Sequence, residues 1–196
     1  MTPGSVVLIA LISEAVALRL FRVAYVYSEA MSRGGKTMTP IHEHDADHLR
    51  RAIVLAHEAR KRGNAPFGAI LVREDEAILA EGQNSVNTGR DVTGHAETNL
   101  VRVVWPHHNA DTLASSTLYA SAEPCAMCSA AIYWTGIGRV VYGLGADRIY
   151  EMFPPDEEHP ALRLPCRDVL ATGTKQTEVV GPMLEDEAAR VFEALR

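Results

Sequence analysis

The segment Pro124-Cys125-Ala126-Met127-Cys128 constrains the chain more than any other stretch of its sequence. Proline suits the first helical position, where its missing N–H would have had no intrahelical partner, so the two cysteines fall in the first turn of a helix. Their three-residue spacing puts both sulfurs on one face. The positive end of the helix favours the thiolate form that zinc requires. His95-Ala96-Glu97 stands 30 positions upstream of Cys125, follows the Gly94 turn and opens another helix. A fold that joins these two helix starts gathers two thiolates and an imidazole around one ion. Three protein ligands leave a fourth position for water, the pattern of a catalytic zinc; a structural zinc has four, and no further histidine or cysteine pair stands at finger spacing. Zinc brings water in that position within reach of deprotonation near neutral pH.

Length and charge narrow the partner. With 196 residues, 47% of them hydrophobic and 22% charged, the chain suits one compact domain with a sizeable core. Its net charge of -6 argues against loose binding to a polyanion, because such affinity comes mainly from Lys and Arg neutralising phosphates. A small substrate is expected. The chain has three cysteines; two of them form the close pair, so the set does not read as a disulfide framework. A thiolate site needs reduced sulfur, and the cytosol is the expected compartment.

Residues 1–40 differ from the rest. The run from Val6 to Ile12 is apolar, and the segment stays so to Tyr27 except for Glu14, Arg19 and Arg22. A membrane span would have to bury those charges at about 2.5–3.5 kcal/mol each near the bilayer centre, and no basic residue precedes the run as a signal peptide would require. The expectation is an N-terminal extension outside the fold, with Met31 or Met38 as a working start, no membrane role, and residues 41–196 as the folded domain.

From Asp45 the chain alternates helix and strand signals. Leu49, Ile53, Leu55, Ala56 and Ala59 keep helical spacing between an Asp45 or Asp47 cap and Gly63. Residues 67–72 and 77–80 read as a hairpin, and 84–94 as a loop. Further helices are predicted over 95–105, 125–134 and 184–195, and strands over 117–121, 139–144 and 178–180. Two helices each followed by a strand imply an α/β fold whose sheet is covered on both faces.

Longer stretches carry a family resemblance. Pro66-Phe67-Gly68-Ala69, Glu81-Gly82-Gln83-Asn84, Gly94-His95-Ala96-Glu97, Glu123-Pro124-Cys125-Ala126-Met127-Cys128 and Ala131-Ile132-Tyr133-Trp134 resemble the branch of the cytidine-deaminase superfamily that holds guanine deaminases and tRNA adenosine deaminases. The segments Ile132-Tyr133-Trp134 and Gly82-Gln83-Asn84 look closer to the free-base guanine deaminases. The likeness spans roughly residues 45–145 and fades after Gly145. His-x-Glu with Pro-Cys-x-x-Cys is the signature of zinc nucleobase deaminases. The resemblance implies a three-layer fold with a mixed sheet of about five strands, a zinc cofactor on His95, Cys125 and Cys128, and Glu97 as the non-ligand acid and base. It also implies a homodimer formed through the helices beside the site.

The same resemblance supplies pocket roles. Asn84 would hydrogen-bond the base, Phe67 stack near it, Ala96 offer its backbone N–H to a ring carbonyl, Glu123 handle a second proton or shape the pocket, and Trp134 close the site from above or across a subunit boundary. Each position has a plainer reading too. Phe67 and Trp134 suit a core, Asn84 suits a turn, and Glu123 suits a backbone N–H partner. His42, His44 and His48 read as a polar entry segment, His107-His108 as a loop, Cys166 as a packed small residue, and Asp156-Glu157-Glu158 as solvated surface or a tail carboxylate for the base.

Free base and RNA compete for such a site. Residues 146–196 carry six basic against eleven acidic side chains, whereas a tail that grips a tRNA stem would be basic. The expected substrate is a free base, guanine-like first, with cytosine-like bases, isoguanine and aza-analogues also open; the alternative is adenosine in tRNA. A non-catalytic zinc module that only binds partners would have no use for Glu97.

Overall fold

The computed structural model describes residues 42–157 and 160–193. The expected extension over residues 1–40 therefore lies outside the described residues, as does Glu158 of the acidic run. Helix α1 (Asp45–Lys61) leads into a hairpin of β1 (Gly68–Val72) and β2 (Ile78–Gln83). There follow α2 (Val86–Gly89), α3 (Ala96–Val104), α4 (Ala110–Ala114), β3 (Thr117–Ala122), α5 (Ala126–Thr135) and β4 (Arg139–Leu144). The tail adds α6 (Ala146–Met152), α7 (Cys166–Ala171), β5 (Glu178–Val180) and α8 (Glu185–Glu193). The main elements agree with the sequence reading. The four short helices α2, α4, α6 and α7 were not expected.

The sheet runs β2-β1-β3-β4-β5. β1 is antiparallel to β2 and to β3, while β3, β4 and β5 are mutually parallel through neighbouring pairs. This is a mixed five-stranded sheet, as the resemblance implies. The period-two alternation of its strands builds two cores. Ile70, Val72, Tyr119 and Val141 face α1 and α8, together with Leu49, Ile53 and Phe192. Ala69, Leu71, Leu118, Ala120 and Val140 face the other side, with Leu100 and Val104 of α3, Ile132 of α5 and Leu170 of α7. Cys166 is fully buried in that second core, the packed small residue anticipated for it.

Two glycines set how closely the layers approach. A Cβ on Gly82 would lie 2.3 Å from Ala96 O, so only glycine lets β2 pass this near the start of α3. Gly136 caps α5 at φ 85°, a left-handed conformation that turns the chain toward β4. Among the described residues no helix is long and apolar enough to cross a membrane.

Candidate active site

Both motif segments sit at helix starts, but Pro124 stands one residue before the N-cap and not at the first helical position, so of the two cysteines only Cys128 lies in the first turn, contrary to the sequence expectation. His95 is the N-cap of α3 and Cys125 the N-cap of α5, each in extended backbone conformation. Cys128 lies in the first turn of α5 and is fully buried. The Cys125 and Cys128 sulfurs are 3.6 Å apart, and His95 Nδ1 lies 3.7 Å from the first and 3.5 Å from the second. A tetrahedral zinc with Zn–S near 2.3 Å and Zn–N near 2.0 Å has S–S edges of about 3.8 Å and S–N edges of about 3.5 Å. The three atoms thus already span one face of a zinc tetrahedron, and the donor set suits zinc. Among the described residues they are the group of histidine, cysteine and acidic side chains placed to hold a metal.

The electrostatics of the pair favour a thiolate at Cys125 and a thiol at Cys128. A hydrogen bond from Cys128, opposed by burial and reinforced by His95, brings the Cys125 thiol down to about 4. Cys128 is pushed the other way by its bond to Cys125 and by burial. The hydrogen bond to Cys125 raises the His95 ring above its ordinary value, against burial.

Glu97 occupies the first turn of α3 and is 6% exposed. Its Oε2 lies 3.3 Å from Cys128 Sγ, so the carboxyl reaches the rim of the metal cage without being one of the three clustered donors. Burial raises its pKa above the ordinary glutamate value, which favours holding a proton there.

The remaining expected residues fall in varied settings. Asn84 is buried, and its Oδ1 accepts from the Val86 N–H at 3.1 Å, the bond of a turn. Its backbone N–H donates to Phe67 O at 3.0 Å, which ties the two residues together at the end of the hairpin. Phe67 is half-buried and meets Phe192 of α8 edge-on at 5.5 Å. Ala96 is the first residue of α3 and fully buried; its N–H has no acceptor within the helix by position.

Glu123 spends both carboxylate oxygens on the tail. Oε2 accepts from the Ala146 N–H at 3.1 Å and Oε1 from the Cys166 N–H at 3.0 Å. These bonds pin the starts of α6 and α7 to the turn that carries Cys125. Trp134 is 78% exposed. It lines an open apolar recess with Val101, Arg102, Trp105 and Thr135.

Asn99, which the sequence reading does not single out, lies against the expected site residues. Its side chain touches both flanks of Asn84 and the residue before His95. The available signal is its place one helical turn after His95.

Known proteins resemble this chain. Residues 42–144 match the family model described as the cytidine and deoxycytidylate deaminase zinc-binding region. A probable cytosine deaminase of Schizosaccharomyces pombe is 41% identical over 150 residues, covering 76% of this chain and 91% of that protein. A guanine deaminase of Bacillus subtilis is 46% identical over 95 residues, covering 48% of this chain and 60% of that one, and tRNA-specific adenosine deaminases match as well. The solved guanine deaminase of Nitrosomonas europaea superposes with a TM-score of 0.63 at 22% identity, over 80% of this chain and 86% of that one, which is a likeness of fold. From the zinc cage outward, the chain is thus a member of the cytidine and deoxycytidylate deaminase family.

Proposed function

We propose that residues 41–196 form a hydrolytic deaminase of a free nucleobase. The observation that carries this reading is the face of a zinc tetrahedron drawn by His95, Cys125 and Cys128, with the buried Glu97 carboxyl 3.3 Å from Cys128. Zinc held by these three residues supplies the Lewis acidity that makes water a nucleophile near neutral pH. Glu97 takes a proton from the attacking water and gives it to the neighbouring ring nitrogen. It then carries the second proton to the departing amine. Water's oxygen becomes the ring carbonyl, the C–N bond breaks, and ammonia leaves.

Asn84 offers a carboxamide to the ring edge, a donor and an acceptor on one side chain. The Ala96 N–H points its helix-start dipole at a ring carbonyl, and Phe67 supplies an aromatic wall. Glu123 shapes the pocket by fastening the tail to the cysteine turn. Trp134 and Trp105 present an apolar face suited to a second copy of the chain. The thiolate ligands suit a reducing, cytosolic setting.

Charge and similarity both favour a free base. The tail is net acidic, six basic against eleven acidic residues from 146 to 196, and a relative that is similar over most of both chains carries the name probable cytosine deaminase. We therefore rank cytosine beside guanine at the head of the candidates. The test is ammonia release from cytosine, guanine, isoguanine, the matching nucleosides and a tRNA anticodon stem-loop, each at low and moderate salt. Turnover of at least one free base and none of the stem-loop is expected. Activity confined to the RNA, falling with salt as counterions compete, would overturn the reading. No turnover at all with zinc bound would leave the non-catalytic module.

A further inference from the structure

Asn84 lies on a loop, while His95 and Glu97 lie at the start of α3. If they are to act on one base, something must fix the distance between them. Asn99 is placed to do so. It stands one turn into α3, where its own N–H donates to His95 O at 2.9 Å. Its Nδ2 donates to Gln83 O at 2.8 Å and to Ser85 Oγ at 2.9 Å, the residues on either side of Asn84. The same nitrogen reaches Gly94 O at 3.3 Å, just before His95. Oδ1 accepts from Arg102 Nη1 at 3.0 Å.

The neck of the loop closes on the same point. Ser85 N–H donates to Gly94 O at 2.8 Å, and a Cβ on Gly94 would come within 2.9 Å of Ser85 Oγ. The loop therefore has little slack where Asn99 grips it. A carboxamide is the fitting group, since it offers two donors and an acceptor in one plane. Aspartate has the same shape but turns two donors into an acceptor facing three oxygens.

We infer that Asn99 is a positioning residue: it sets the register of Asn84 against the His95 and Glu97 end of α3 and thereby the depth at which a base is presented. The inference rests on the proposed reading of Asn84 as the residue that binds the base.

The experiment uses the full zinc-loaded chain with cytosine and guanine as probes, and compares N99D, N84A and the double variant. N99D is expected to keep its zinc and to lose about tenfold in kcat/KM, the worth of one buried hydrogen bond. N84A is expected to lose at least as much, and adding N99D to N84A is expected to change little further, because Asn99 acts through the loop. Without substrate, amide exchange over residues 84–94 should quicken in N99D while residues 117–122 and 139–144 stay protected. N99S, which keeps one donor, should give a weaker form of the same exchange pattern and serves in its place if N99D does not fold. Unchanged exchange over 84–94, or losses that multiply in the double variant, would overturn the inference. A fully active N84A would remove the base-binding role itself, and the inference with it. An impaired N84A beside a fully active N99D would remove Asn99 alone.

Discussion

Glu97 and the cage ligands differ in what their loss should do, although Glu97 lies only 3.3 Å from Cys128. Glu97→Gln keeps size and hydrogen bonding but cannot shuttle a proton. Zinc measured by elemental analysis should stay near one per chain while turnover falls by about 10²–10⁴-fold. Cys125→Ser or His95→Ala removes one corner of the 3.5–3.7 Å triangle, and both zinc and turnover should be lost. An active Glu97→Gln enzyme, or full zinc in Cys125→Ser, would contradict these roles. The cage is legible in the sequence because helix start and three-residue spacing are local rules, although Pro124 falls before the N-cap Cys125 and not inside the helix. The partners of Glu123 are not, because Ala146 and Cys166 lie 23 and 43 residues away in the chain and are main-chain groups that every residue possesses.

At the level of elements, the site depends on how near α3 can lie to β2. Gly82 faces Ala96 O so closely that an added methyl would meet it at 2.3 Å. Gly82→Ala should therefore shift the start of α3 and cost about 1–3 kcal/mol of stability, the usual scale of overpacking. Thermal melts should show the loss, and zinc titration should show weaker binding, since Ala96 follows the ligand His95 directly. The long helices and the strands are readable from hydrophobic period, which needs two or more turns to show itself. Val86–Gly89 and Ala110–Ala114 are four and five residues long, too short for any period to register. The antiparallel placing of β1 beside β3 is likewise invisible in the chain, since it is decided by which strands find each other across α3.

Across the whole molecule, the sheet separates chemistry from anchorage. The cysteine turn follows the carboxyl end of β3, where open α/β sheets bind their ligands. At the other end, Arg139 at the start of β4 holds Asp45 of α1 through two bonds of 2.7 and 2.8 Å. Tyr119 donates to the same carboxylate at 2.7 Å and the His42 N–H does so at 2.7 Å. Asp45 is fully buried and Arg139 nearly so. Burial pushes the Asp45 carboxyl up, but the bonds from Arg139, Tyr119 and His42 outweigh it and hold its pKa below the ordinary 3.8. A depressed folded pKa means that its contribution is complete above the ordinary carboxylate value and fades as pH falls through the lower folded one. Asp45→Asn should destabilise the fold at neutral pH by taking the buried carboxylate from Arg139, which keeps its ion pair to Glu178 at 3.4 Å, so the loss should lie toward the lower end of the about 3–5 kcal/mol typical of a broken buried pair. It should also flatten the loss of stability on acidification, measured by urea unfolding at neutral pH and near pH 3. Equal acid sensitivity in the variant and the wild type would show that other carboxylates govern it.

His95 and Cys125 are 30 residues apart in sequence and 3.7 Å apart in space. A metal on both makes that stretch, with α3, α4 and β3 inside it, a closed ring. An ion of this kind is a removable cross-link: it takes loop-closure entropy from the unfolded chain as a disulfide does, about 3–4 kcal/mol for a ring of this size. The enzyme's cofactor would then double as its staple, and its melting temperature should follow the free zinc of its surroundings.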